Sequence, residues 1–307
     1  MILVIKAYMI CNLVSGKAMI GFHLPKIIDR FTAAGYEITV HTTQCQGDGI
    51  NAAQYACENN FDIVICCGGD GTLNEVIQGC MKASRPLPIG YIPSGSTNDF
   101  ARSIGIPKSP LEAVESIING SPEECDIGRS GSQYFTYIAA FGAFTEVSYQ
   151  TAQPVKNVLG HAAYLLNGML SVPKIRTSRM RIEHDGQIIE DDFLYGMVTN
   201  STSVAKLLSL PEMEKDDGIF EVTLIRKPRN ILDLQHIITG LTNIQLGAEK
   251  EYFDYFRTSE LTVTCLDKEP VAWTLDGEFG GNETVKVIQN LHKALEFILP
   301  KGNDTII

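Results

Sequence analysis

Five consecutive residues, Gly68-Gly69-Asp70-Gly71-Thr72, close the apolar run FDIVICC at 61–67 and open a helix-prone stretch. Glycines let a backbone come close to a ligand and take positive φ. A helix start behind them offers free N–H groups and the positive end of its dipole. Together these features make a phosphate site. The loop is not a Walker A loop, because no Gly-Lys-Ser/Thr follows, and it is not the GxGxxG dinucleotide pattern. Asp70 would repel a bare phosphate, so a magnesium–nucleotide suits the site better than phosphate alone. Taken by itself, the segment could equally be a structural turn with Asp70 as a helix cap.

Two further polar loops share its setting. IPSGSTNDFARSIGIP at 92–107 follows a strand-like run and offers the hydroxyls of Ser94, Ser96 and Thr97, then Asn98 and Asp99 at a helix start. CNLVSGK at 11–17 follows the first apolar run. In an open parallel sheet such loops gather at the carboxyl edge, where ligands bind. Two acidic motifs stand apart: Asp216-Asp217-Gly218 and Asp276-Gly277-Glu278. Each alone reads as a tight or solvated turn.

The elements that must position these loops alternate through the first third. Residues 2–9 read as a strand. Residues 17–34 carry Ile20, Leu24, Ile27, Ile28 and Phe31 at helical spacing and stop near Gly35. Residues 37–42 read as a strand, 48–59 as a helix, and 61–67 as a central strand buried on both faces. A helix from about Leu73 to Met81, a strand at 88–92 and a helix at 110–119 complete the series. This order implies a doubly wound parallel sheet. From about Cys125 the pattern changes. Asp185-Gly186 signals a two-residue hairpin, and 219–227, 260–266 and 272–278 read as strands. Helical stretches fall at about 155–171 and 229–248. The expected fold class is α/β plus β: an N-terminal doubly wound domain over 1–124 with a C-terminal tail at about 285–307, and a C-terminal β-sandwich over 125–284.

Composition narrows the function classes. The chain has 307 residues, 44% hydrophobic and 20% charged, with a formal net charge of −11. That charge argues against a nucleic-acid partner, which requires a basic surface. With no run of about 18 apolar residues, no transmembrane helix is expected. The apolar start reads as a buried strand rather than a signal peptide. The eight cysteines and six histidines show no metal spacing, Cys66 and Cys67 read as small buried hydrophobes, and the chain suits a reducing cytoplasm.

GGDGTLNE and PSGSTNDFAR, together with the NxxSGK element at 12–17 and the later DDG and DGE, resemble the diacylglycerol kinase catalytic family, and more narrowly its soluble bacterial members. GYE at 35–37, Ile117-Ile118-Asn119-Gly120, ECDIG at 124–128 and DGEFGG at 276–281 extend the resemblance over nearly the whole chain. The resemblance implies an ATP-dependent kinase that phosphorylates the hydroxyl of diacylglycerol to give phosphatidic acid. Asn12, Ser15 and Gly16 would border the nucleotide phosphates, and Thr43 would contact the nucleotide. Gly69, Asp70, Gly71, Thr72, Leu73, Asn74 and Glu75 would wrap the phosphates, with Ser96 adding a contact. Asp70 and Asp99 would serve the Mg2+–ATP and the catalytic centre, and Glu278 would accept the hydroxyl proton. A structural Mg2+ would take the Asp217 carboxylate and the carbonyls of Glu214 and Ile219.

Two departures from the family pattern stand out. Asn12-Leu13 replaces the usual Asn-Pro, and TSVAKLLSL at 202–210 lacks the glycine-rich element often found before DDG. The lipid partner implies peripheral contact at the inner face of a membrane. Candidate lining is the stretch Leu159–Leu170 with Phe141, Phe144 and Tyr149, residues that read more commonly as ordinary core, and the headgroup candidates are Lys174, Arg176, Arg179 and Arg181, which read equally as a solvated strand face. The strand-rich domain could also form a homodimer. The alternatives are a kinase of phosphatidylglycerol or a sphingoid lipid, an NAD kinase sharing only the GGDGT loop, and a binding module without catalysis.

Overall fold

The computed structural model describes residues 4–16, 20–96, 98–142, 177–200, 216–230, 232–233, 236–237 and 251–301. Two compact units divide the chain, one comprising Met1–Cys125 with Lys293–Ile307 and the other Asp126–His292.

The first unit runs β1 (Ile5–Cys11), α1 (Ile20–Ala33), β2 (Tyr36–Thr42), α2 (Asp48–Glu58), β3 (Ile63–Gly68), α3 (Asp70–Lys82), β4 (Ile89–Pro93), α4 (Asp99–Ser103) and α5 (Pro110–Asn119). Its sheet has the order β4-β3-β1-β2, every pair parallel. β3 and β4 are buried at every position, as apolar runs without alternation require. The order places a switch point between β1 and β3, where loops leave the sheet in opposite directions. Helix α3 begins at Asp70, three residues before the apolar spacing predicts. Gly69, extended at φ −89° and ψ −174°, is its N-cap, so the GGDGT glycines form the helix start rather than a loop ahead of it.

The second unit is strand-rich: β5 (Ser121–Ser130, entering from the first unit), β6 (Gln133–Phe135), β7 (Ile138–Gly142), β8 (Ser178–His184), β9 (Gln187–Thr199), β10 (Phe220–Arg226), β11 (Phe253–Thr258), β12 (Glu260–Cys265), β13 (Val271–Leu275), β14 (Glu278–Glu283) and β15 (Val285–Leu299). The main path is β14-β13-β7-β9-β8-β12-β15 and is antiparallel, with β10 joining β9 to β11. The far end of β15 belongs to the first unit, where Phe297 pairs in parallel with Ile89. Phe135, Phe141, Phe193, Phe220 and Trp273 fill the core of the second unit, each contributing about 1.5–3 kcal/mol by burial. Phe141 packs 4.9 Å from Trp273, so of the two readings open for it, lipid lining or core, it is core. Both two-residue turns, Asp185-Gly186 and Asp276-Gly277, have positive φ at each residue and so are type I′ hairpin turns. The stretch 155–171 and most of 229–248 lie outside the described residues.

Candidate active site

The loops after β1, β3 and β4 meet in the first unit. Most of their close approaches are backbone to backbone. The Ser94 N–H donates to the Gly68 carbonyl at 2.8 Å, and the Asn12 N–H donates to the Cys67 carbonyl at 2.9 Å. A Cβ on Gly95 would lie 2.6 Å from the Gly69 Cα, a spacing that only a glycine permits. Gly16 is left-handed at φ +56°, with the Ser94 carbonyl oxygen packed where a Cβ would stand. The Ser15 and Ser94 hydroxyls share a 2.6 Å hydrogen bond. These contacts draw three separate loops into one floor at the start of α3.

Asn12 accounts for the loop without its usual proline. The side-chain oxygen accepts from Val14 N–H at 3.1 Å, and the amide donates to Thr72 Oγ1 at 3.1 Å. That local turn does the work of a proline, leaving Leu13 partly exposed. Asn98, left-handed at φ 50°, caps α4 and ties back to Gly95, accepting its N–H at 2.9 Å and donating to its carbonyl at 3.0 Å. Asp70 is the first residue of α3 and Asp99 the first of α4, so both carboxylates stand at helix starts. Asp99 lies 3.8 Å from Arg102. Tyr91 is buried nearby, its hydroxyl donating to the Gly68 carbonyl at 3.3 Å. Burial first, then Asp70 and more weakly Asp99, hold its phenol well above the usual tyrosine range.

Glu75 is fully engaged by the protein. Its two oxygens accept the Gly47 and Gly49 N–H groups at 2.8 and 2.9 Å, which ties α3 to the start of α2. Thr43 follows β2, its N–H donating to the Cys11 carbonyl at 2.9 Å. Ser96 is exposed.

In the second unit, Glu278 is the first residue of β14, directly after the Asp276-Gly277 turn. Its side chain is exposed. Asp276, two residues before it, is buried and was legible in the sequence only as part of the motif. The carboxylate accepts from Thr136 N–H at 2.7 Å, Thr136 Oγ1 at 2.9 Å, Tyr137 N–H at 3.0 Å and Ile138 N–H at 3.1 Å. Burial pushes its pKa up to about 6 against the pull of these four bonds.

The Asp217 loop is anchored similarly: Gly218 N–H donates to Asp126 at 2.6 Å, and Asp217 accepts from Ile219 N–H at 3.0 Å. The other Asp217 oxygen pairs with the Arg257 guanidinium, a partner that nothing in the local motif announces. Glu214 lies outside the described residues. So do Phe144, Tyr149, Lys174, Arg176 and the stretch Leu159–Leu170. Arg179 and Arg181 stand on β8, each already facing an acid, Glu190 at 3.2 Å and Glu183 at 3.0 Å.

Residues 6–130 match the family model of the diacylglycerol kinase catalytic domain. The chain is 34% identical over 298 residues to a diacylglycerol kinase of Bacillus subtilis, covering 96% of this chain and 97% of the relative. This chain belongs to the diacylglycerol kinase family. A second family member, the diacylglycerol kinase of Staphylococcus carnosus, is 33% identical over 304 residues, covering 96% and 95%. The fold of this family member matches a solved chain from Bacillus anthracis strain Sterne with a TM-score of 0.79 at 24% identity, covering 96% of this chain and 95% of that one.

Proposed function

We propose that this chain transfers the γ-phosphate of ATP to the hydroxyl of diacylglycerol, giving phosphatidic acid. The observation that carries the reading is the junction of three glycine-bearing loops at the start of α3, in a chain that is kin along its whole length to diacylglycerol kinases. Free N–H groups at a helix start are suited to the charge of a transferring phosphoryl group. The backbone of 12–16 and 69–75 would cradle the phosphates, with Thr43 and Ser96 at the nucleotide.

Asp70 and Asp99 would hold the nucleotide's Mg2+, a role that fits two carboxylates at the starts of neighbouring helices. Magnesium bound with ATP neutralises charge on the phosphate oxygens. Glu278, a carboxylate on a fixed hairpin turn, would accept the proton of the attacking hydroxyl. Glu75 would act one step removed, seating α3 through the Gly47–Gly49 backbone.

A structural Mg2+ held by Asp217, with the carbonyls of Ile219 and Glu214, suits the all-oxygen donor set. In this chain the Arg257 guanidinium competes for the same carboxylate. Diacylglycerol lies in membranes, so the enzyme would work at a membrane surface. No helix among the described residues is long and apolar enough to cross one.

The test is transfer of label from γ-labelled ATP with magnesium, offering diacylglycerol, phosphatidylglycerol, sphingosine and NAD in parallel. Labelled phosphatidic acid is the expected product. Label on NAD alone overturns the substrate class, and ATP binding without any transfer overturns the assignment as an enzyme.

A further inference from the structure

Lys286 is the one buried lysine among the described residues, 1% exposed at the beginning of β15. An ammonium group is costly to bury unless its donors are satisfied. Here they converge on a single hairpin. Nζ donates to the Gly280 carbonyl at 2.6 Å and to Glu283 at 3.1 Å, and it lies 5.7 Å over the Trp273 ring. Trp273 belongs to β13, while Gly280 and Glu283 belong to β14.

The hairpin is irregular where Lys286 grips it. Pairing passes from Thr274↔Phe279 to Ala272↔Asn282, so β14 carries an extra residue at Gly280-Gly281, and Gly281 is left-handed at φ +99°. A bulge of this kind bends its strand and re-aims the neighbouring side chains. Glu278 stands two residues before it. Its position is therefore fixed at two ends, by the Asp276 carboxylate at the turn and by the Lys286 ammonium at the bulge.

We infer that Lys286 is a positioning residue for phosphoryl transfer: by holding the Gly280 carbonyl at the β14 bulge, it aims Glu278. The inference rests on Glu278 being the proton acceptor. Lys286 itself touches no reacting atom. A fully buried charge is an expensive way to stabilise a hairpin, since an apolar residue of similar volume commonly serves as well or better. Aiming one carboxylate is a task that such a residue would not perform.

The test is a double-mutant cycle on the full chain, with diacylglycerol and ATP. Lys286→Met should lower kcat about ten-fold, the scale of a misplaced catalytic group, with the KM for ATP unchanged. In the Glu278→Gln background the same change should cost nothing further, because there is no base left to aim. Glu283→Gln, on a half-exposed partner, should give a smaller loss that also vanishes in that background; it decides the matter if Lys286→Met does not fold. Wild-type kcat in folded Lys286→Met, or an equal loss in both backgrounds, overturns the inference while leaving the Glu278 assignment standing. Full turnover in Glu278→Gln alone overturns that assignment and the positioning role with it.

Discussion

The glycine loops gathered at the start of α3 in the first unit and the Asp276-Gly277-Glu278 turn of the second both follow a strand and both depend on glycine, yet different forces hold them. The glycine loops are held mainly by backbone. Gly16, Gly69 and Gly95 allow main chains to touch, and nearly every tie runs between neighbouring loop ends of one parallel sheet. The acidic turn is held by buried charge. Asp276 reaches a segment 138–140 positions away, and Lys286 grips the bulge behind it. Under the proposed function, a loop that would accept several phosphate oxygens is well served by many weak N–H donors. A single carboxylate that would take one proton would have to be aimed, and charge-assisted hydrogen bonds are the stronger and more directional means.

If this contrast is right, the largest single effect falls on the turn. Asp276→Ala should destabilise the protein by about 3–5 kcal/mol, because it leaves three backbone donors and a hydroxyl buried without their acceptor. Chemical denaturation measures it, and a loss under about 1 kcal/mol would mean the donors find other partners.

The same carboxyl predicts a pH dependence. Its folded-state value of about 6 lies above the ordinary 3.8. The folded protein therefore holds the extra proton between these limits. The resulting stabilisation is complete below the lower value and is lost as pH rises through the upper one. About two pKa units correspond to roughly 3 kcal/mol across that window. Comparing the stability curves of wild type and Asp276→Asn over pH 4–7 should show this component only in the wild type. Parallel curves would mean that the four donors hold the group ionised throughout.

Next in size is turnover. Glu278→Gln should lower kcat at least about 100-fold while ATP binding, measured by calorimetry, stays intact, as expected for removal of a general base. Unchanged turnover would remove Glu278 from the reaction.

The smallest effect belongs to the backbone-held side of the comparison. Gly16→Ala forces a side chain into the left-handed region at a cost of about 1–2 kcal/mol, on top of its collision with the Ser94 carbonyl. ATP affinity should fall roughly ten-fold with global stability little changed. Should Gly16→Ala destabilise the whole protein more than Asp276→Ala, the contrast between the two regions fails.

Much of the first unit was legible from pattern. The unbroken run at 61–67 is buried at every described strand position, and the helix spacing of Ile20, Ile27 and Phe31 matches the buried stripe of α1. Local chemistry sufficed, because a parallel sheet buries whole runs and its ligand loops follow them directly. The boundary of α3 was less legible, since glycines seldom announce a helix start. In the second unit the Asp185-Gly186 hairpin was legible because its turn chemistry is local. Strands β5, β6, β7, β11, β14 and β15 were not, because partner choice across the sheet decided them, and the strand expected over 272–278 stops at Leu275 before the Asp276-Gly277 turn. Glu75 shows what a motif leaves unsaid: its place in GGDGTLNE carries no hint that its side-chain oxygens bind the α2 backbone.

The sequence by itself determined where the candidate motifs stand: the glycines, Asp70, Asp99 and Glu278 fall in runs whose spacing depends only on adjacent residues. Only the tertiary structure decided what holds them. The Asp276 clamp on 136–138, the Lys286 grip on Gly280 and the pairing of Asp217 with Arg257 join residues that are remote in sequence or carry no local signature. The physical reason is that turns and helix starts are set by local backbone preference. A buried charge, by contrast, persists only where the folded chain brings it donors or a counter-charge.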